Sequence, residues 1–115
     1  MEIPKPTAAD KERFVALVPR DPRVEVKPMF GNLGAFVNGN MFAGLFGADI
    51  GVKLGPVDAA ELIALDGAGP FGPVERPMGG YVTLPRSIVG SPEGERWIRS
   101  ALVYVADLPP RASKR

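Results

Sequence analysis

Residues 29–46, Met-Phe-Gly-Asn-Leu-Gly-Ala-Phe-Val-Asn-Gly-Asn-Met-Phe-Ala-Gly-Leu-Phe, constrain the fold of this chain more than any other stretch. Asn38-Gly39 lies between two apolar runs, and both residues tolerate a positive φ, as a two-residue type I′ turn requires. Such a turn pairs Val37 with Asn40, Phe36 with Met41 and Ala35 with Phe42. Side chains alternate across a sheet. Leu33, Ala35, Val37, Phe42 and Phe46 are therefore expected on one face, and Phe36, Met41, Ala43 and Leu45 on the other. A hairpin with one wet face carries polar residues at every second position, and this one does not. Both faces are expected to be covered, one by the protein's own helices and the other by a helix, a loop or a second subunit.

The segments around the hairpin read as helices and strands. Thr7 and Asp10 form an Asp-substituted capping box, and Phe14, Leu17 and Val18 give the stripe of a short first helix. Pro19, Asp21 and Pro22 stop it. Val24–Lys27 alternates as a strand, with Pro28 marking an edge position or a bulge. After the hairpin, Gly47-Ala48-Asp49 turns into a strand in which Ile50, Val52 and Leu54 point one way and Asp49 and Lys53 the other. Pro56 opens a second helix, with Asp58 and Glu61 at its positive end and Leu62, Ile63 and Leu65 as its apolar side. Residues 67–80 are rich in glycine and proline and are read as a loop with a short strand near Val74. Tyr81–Leu84 is the last strand. Ser91 then caps a long helix, opened by Pro92 and striped by Trp97, Ala101, Tyr104, Val105 and Leu108. An α+β domain follows, an antiparallel sheet of about five strands flanked by N- and C-terminal helices.

At 115 residues the chain is one domain, 1–115, with an ordered core over about 7–108 and a basic tail over 109–115. It contains no cysteine, which excludes disulfides, thiolate nucleophiles and zinc–cysteine sites. It contains no histidine, the commonest general base near neutral pH and the commonest transition-metal ligand. The net charge of +1 gives no electrostatic reason to expect nucleic acid. No signal peptide or membrane span is visible, so the expected location is the cytoplasm.

Four groups of residues invite a chemical reading. Gly67-Ala-Gly-Pro-Phe-Gly72 spells GxGxxG, but a helix precedes it and Pro70 and Pro73 forbid the helix that would cradle a phosphate. Asp49 and Lys53, with Glu75 and Arg76, read as solvated charges rather than an acid–base cluster. Serines 87, 91, 100 and 113 have no histidine to activate them. Arg96, Arg99, Arg111, Lys114 and Arg115 form a thin basic patch, diluted by Glu93, Glu95 and Asp107. What remains is apolar surface: Met29, Phe30, Phe36, Met41, Phe42 and Phe46 are more large side chains than two strands hide alone.

The order Lys27-Pro-Met-Phe-Gly31, Leu33-Gly34, Asn38-Gly-Asn-Met-Phe-Ala43 and Val52-Lys53-Leu54 resembles the N-terminal domain of TfoX/Sxy competence regulators. The resemblance extends through Met78–Tyr81, Leu84-Pro85 and the closing helix with Trp97, Ala101 and Tyr104. Pro28 stands where members often carry an arginine, and glycines 44, 47 and 51 are additional. The resemblance implies an α+β domain of secretion-chaperone-like fold in a bacterial cytoplasmic protein with no known catalytic centre. Full-length regulators of that family carry a second, C-terminal helical domain, and this chain is expected to be a stand-alone domain without it.

The expected function is a small non-enzymatic interaction and regulatory module, a homodimer with an unidentified protein partner, using no cofactor and no metal. Its expected interaction surface is Met29, Phe30, Phe36, Met41, Phe42 and Phe46. The alternatives are a ligand-binding or enzymatic domain using the sheet face near Lys53 and Tyr81, and an accessory nucleic-acid binder.

Overall fold

Three tight turns fold the middle of the chain into a four-strand meander. In the computed structural model, which describes residues 3–110, these strands are β1 (Val24–Met29), β2 (Asn32–Val37), β3 (Asn40–Phe46) and β4 (Asp49–Lys53). Phe30-Gly31 and Asn38-Gly39 both have positive φ at both central positions (51° and 80°, 54° and 81°), the signature of a type I′ turn. At the third turn Gly47 alone has positive φ, 64°, as a type II′ turn requires.

The chain then forms α2 (Pro56–Ile63), passes through β5 (Gly69–Pro70) and a loop, and returns as β6 (Tyr81–Thr83). The sheet is antiparallel throughout, in the order β1-β2-β3-β4-β6-β5. α1 (Ala8–Leu17) precedes it, and α3 (Pro92–Ala106) follows a single 3₁₀ turn. The α+β class and the terminal helices are as the sequence predicts. The sheet has six strands rather than about five, and the added one is Gly69–Pro70. Val74, the apolar residue that suggested a strand, lies in an exposed turn.

The register between β2 and β3 differs from the expected one. Val37 pairs with Asn40 and Phe36 with Met41, but Ala35 pairs with Ala43, Gly34 with Gly44 and Leu33 with Leu45. Phe42 is the extra residue of a β-bulge, and one inserted residue reverses the face of everything beyond it. Ala43 and Leu45 therefore join Leu33, Ala35 and Val37 on the helix side, and Phe46 moves to the opposite face with Phe36 and Met41. Phe42 keeps its place in the core, 0% exposed.

The core lies between this side of the sheet and the helices. Phe14 of α1, Leu62 of α2, and Ile98, Ala101, Leu102 and Val105 of α3 meet the sheet's branched residues there. Each helix end has a physical cause. The Asp10 amide donates to Thr7 Oγ1 at 3.0 Å and the Thr7 amide to Asp10 Oδ2 at 2.9 Å, the reciprocal capping box. The Gly94 amide donates to Ser91 Oγ at 3.2 Å at the start of α3. At the other end, Asn40 Nδ2 donates to the Pro109 carbonyl at 3.1 Å and Asn38 Nδ2 to the Ala106 carbonyl at 3.4 Å. The turn that nucleates the hairpin thus also receives the end of α3. In α2, Ile63 is exposed rather than part of the apolar side, because the helix turns Leu62 and Ala59 to the core instead. Pro28 lies on the outermost strand, the edge placement its missing N–H allows. Residues 111–115 of the expected basic tail lie outside the described residues.

Candidate functional site

Gly34, Gly44 and Gly51 stand side by side on β2, β3 and β4, on the face away from the helices. A strand glycine marks a place where something approaches the backbone closely. Here that something is Phe71, carried over the sheet by the 67–80 loop. A Cβ on Gly51 would run into the Phe71 ring, and one on Gly44 would come within 3.3 Å of it. Gly34 makes room instead for the Phe36 ring and the Met41 sulfur, at 2.8 and 2.9 Å from where its Cβ would stand.

The loop holds Phe71 in place from several directions. The Met78 amide donates to the Phe71 carbonyl at 2.8 Å, and Thr83 Oγ1 donates to the Pro70 carbonyl at 2.8 Å. The Phe71 ring stands edge-on to Phe46 with centroids 6.0 Å apart, and is tilted against Tyr81 at 6.1 Å. Only 2% of Phe71 is exposed. A stretch that spells a nucleotide-binding motif therefore serves as a sheet cover.

Between this cover and the β1–β2 turn lies a cleft of about 350 Å³. Ile3, Met29, Phe30, Phe46, Phe71 and Met78 form most of its wall, and Arg76 brings the one charged side chain to it among the described residues. Asn32 also borders the cleft, but its carboxamide is engaged. Nδ2 donates to the Pro4 carbonyl at 3.1 Å, and Oδ1 accepts from the Gly47 amide at 2.8 Å. That pair of bonds ties the N-terminal segment across the β3–β4 turn and positions Ile3 at the cleft.

Phe30 is the unusual member. A bulky side chain at φ 51° crowds its own backbone, and the residue is 79% exposed, so no burial compensates. Asn38 fills the equivalent position of the next turn at almost the same φ, with a residue type that tolerates it.

The expected interaction residues divide three ways. Met29, Phe30 and Phe46 line the cleft. Phe36 and Met41 share its face of the sheet but lie apart from it; the Lys27 ammonium is 4.5 Å from the Phe36 ring centre, and Met41 is a correction, since it is buried and not open to a partner. Phe42 is a correction: it is buried on the opposite, helix-covered side and is not available to a partner. Ile3, Phe71, Pro73, Arg76 and Met78 were not anticipated. The available signals were the strand glycines and the lone aromatic residue of a glycine- and proline-rich loop.

Lys53 and Tyr81 do come together, as packing on the sheet face. The Lys53 ammonium lies 5.6 Å from the Tyr81 ring centre, and the Tyr81 hydroxyl donates to the Met41 carbonyl at 2.8 Å. Neither residue lines the cleft. Asp49 pairs with Arg86 at 3.0 Å and forms no ion pair with Lys53. Arg23 holds the Asp21 carboxyl down to about 2 through its side-chain and backbone hydrogen bonds. The Thr7 amide and hydroxyl lower that of Asp10. Both carboxylates serve local structure. Among the described residues no three acidic side chains converge as metal donors, and no helix is long and apolar enough to cross a membrane.

A family model described as the TfoX N-terminal domain matches residues 14–104. No curated protein and no solved structure matches the chain.

Proposed function

The chain belongs to the TfoX N-terminal domain family, and from that premise we propose that it is a small non-enzymatic interaction module of regulatory type. It works as a homodimer and receives an apolar side chain of a protein partner in the cleft beside Phe30. The observation that carries this reading is Phe30 itself, 79% exposed and held at positive φ at the mouth of an apolar cleft. A glycine would fill that turn position without steric crowding. A large ring there gives nothing to local structure and much to a partner, because aromatic anchors beside a desolvated pocket dominate interface energies.

The cleft suits such a partner in two further respects. Met29 and Met78 are flexible, polarizable walls that adapt to side chains of different shape. Arg76 has no ion pair among the described residues, and its guanidinium at the rim can donate to a carbonyl or carboxylate oxygen of the incoming chain. The non-enzymatic reading draws on a sequence without histidine or cysteine, and on Asp10, Asp21 and Asp49 being occupied in capping and in pairs with Arg13, Arg23 and Arg86.

The test is affinity capture from native cell extract with the wild-type chain and Phe30→Asp. Phe30 is exposed, so the variant folds, as a thermal melt checks. The reading expects one or more proteins to be captured by the wild type and lost with Phe30→Asp. Identical capture by both chains rules out the cleft as the docking site.

A further inference from the structure

We propose that two copies of this chain pair through the free edges of β1, antiparallel and centred on Val26, so that Glu25 of each copy faces Lys27 of the other. This rests on the homodimeric reading above and assigns that dimer a surface distinct from the Phe30 cleft.

The two edges of the sheet are not equivalent. One ends in β5, only two residues long, whereas the other is the whole of β1, with six. The turn at Phe30-Gly31 decides which backbone groups of β1 face outward. In a two-residue turn the flanking residues, Met29 and Asn32, exchange hydrogen bonds. The alternation of an antiparallel ladder then turns Lys27 and Glu25 toward β2 as well, and turns Val24, Val26 and Pro28 to the free edge. Pro28 has no N–H to offer, and the Val24 amide already donates to the Asp21 carbonyl at 2.9 Å. Val26 is left as the residue of β1 with both an N–H and a C=O directed outward. Only a two-fold axis at Val26 pairs both of those groups, each Val26 amide donating to the Val26 carbonyl of the other copy.

The side chains agree with this register. Glu25 and Lys27 flank Val26 on the face away from the helices, and neither forms an ion pair among the described residues. Charged edge residues ordinarily discourage strand pairing. Here the two signs are placed symmetrically about Val26, so the antiparallel two-fold brings opposite charges together, a favourable cross-strand pair. The Lys27 ammonium turns from the Phe36 ring to the incoming carboxylate. On the helix side, Val26 is 37% exposed and Val15 of α1 is 52% exposed. They border a groove of about 670 Å³ between α1 and β1, lined also by Ala16, Val18 and Val24. Pairing at Val26 closes the open side of that groove with the Val26 of the other copy.

Sedimentation equilibrium of the full chain over a dilution series at low salt tests the register directly. Five samples are compared: wild type, Glu25→Lys, Lys27→Glu, the double exchange, and an equimolar mixture of the two single variants. The wild type is expected to dimerise. Each single variant places like charges opposite each other twice, and its dimer dissociation constant is expected to rise about tenfold or more. The double exchange restores the wild-type value, and the mixture forms a one-to-one heterodimer that neither single variant forms alone. Both positions are exposed, so thermal melts stay unchanged. A dimer that persists equally in both single variants overturns the β1 edge and leaves the homodimer standing. A wild type that stays monomeric at every concentration overturns the edge and the homodimer together.

Discussion

On the helix side of the sheet, Phe42, Leu45, Ile50 and Val52 meet side chains from three helices. On the other side, one ring from a loop lies flat over glycines 44 and 51. Both sides exclude water, by opposite means. The helix side fills its volume with large residues contributed by many elements, so it suffers when one is shortened. The loop side depends on absent side chains, so it suffers when one is added. The cleft exists because the loop's cover stops at Phe71 and Met78 and leaves the β1–β2 end of that face open.

Shortening a helix-side residue has the largest expected effect. Phe42→Ala leaves a cavity between the sheet and α3 and is expected to destabilise the fold by about 3–5 kcal/mol in denaturant unfolding. A loss below about 1 kcal/mol would mean that the bulge slips and the register resets. Adding a methyl group on the opposite face comes next. Gly→Ala inside a strand ordinarily gains stability, about 0.5–1 kcal/mol. Gly51→Ala is expected to lose about 1–3 kcal/mol because the Phe71 ring must lift, and limited proteolysis should then cut within residues 67–80. A stabilised Gly51→Ala would remove the distinction between the two sides.

Tyr81→Phe takes away the hydroxyl donated to the Met41 carbonyl and keeps the ring against Phe71. The expected loss is about 1 kcal/mol, with the loop more open to protease than in the wild type. Phe30→Gly relieves the backbone at the uncovered end and is expected to stabilise the fold by up to about 1 kcal/mol, while abolishing partner capture. Stability gained together with binding lost is the mark of a residue kept for function.

The smallest effect touches neither side. Asp21 titrates near 2 in the folded protein against an ordinary 3.8, so its pair with Arg23 stabilises the fold above about pH 4 and loses that contribution as pH falls toward 2. Arg23→Ala should flatten that part of the acid limb in a pH series of thermal melts, and leave proteolysis of the 67–80 loop unchanged.

Most of the fold was legible because its signals are local. Asn38-Gly39, Pro56, Ser91-Pro92 and the Thr7–Asp10 box each act within four residues, and each stands where the sequence places it. Phe30-Gly31 was harder to read as a turn, since a bulky residue at positive φ is an exception to turn chemistry. The cleft was half legible. Met29, Phe30 and Phe46 stood out as surplus apolar residues, whereas Ile3, Phe71 and Met78 reach it from segments far away in the chain.

The sequence by itself determined the Asn38-Gly39 and Gly47-Ala48 turns, the helix caps and the antiparallel α+β order, because short-range sterics and hydrogen bonding decide each of these, and its motif order determined the family. Only the tertiary structure decided which residues share a face. In the unbulged register Leu45 would point away from the helices and Gly44 toward them. The bulge at Phe42 turns Leu45 into the core and Gly44 out under Phe71, and that gain is shared among β3, α3 and a loop more than twenty residues downstream. No local pattern encodes such a sum, since alternation has the same period on either side of a bulge.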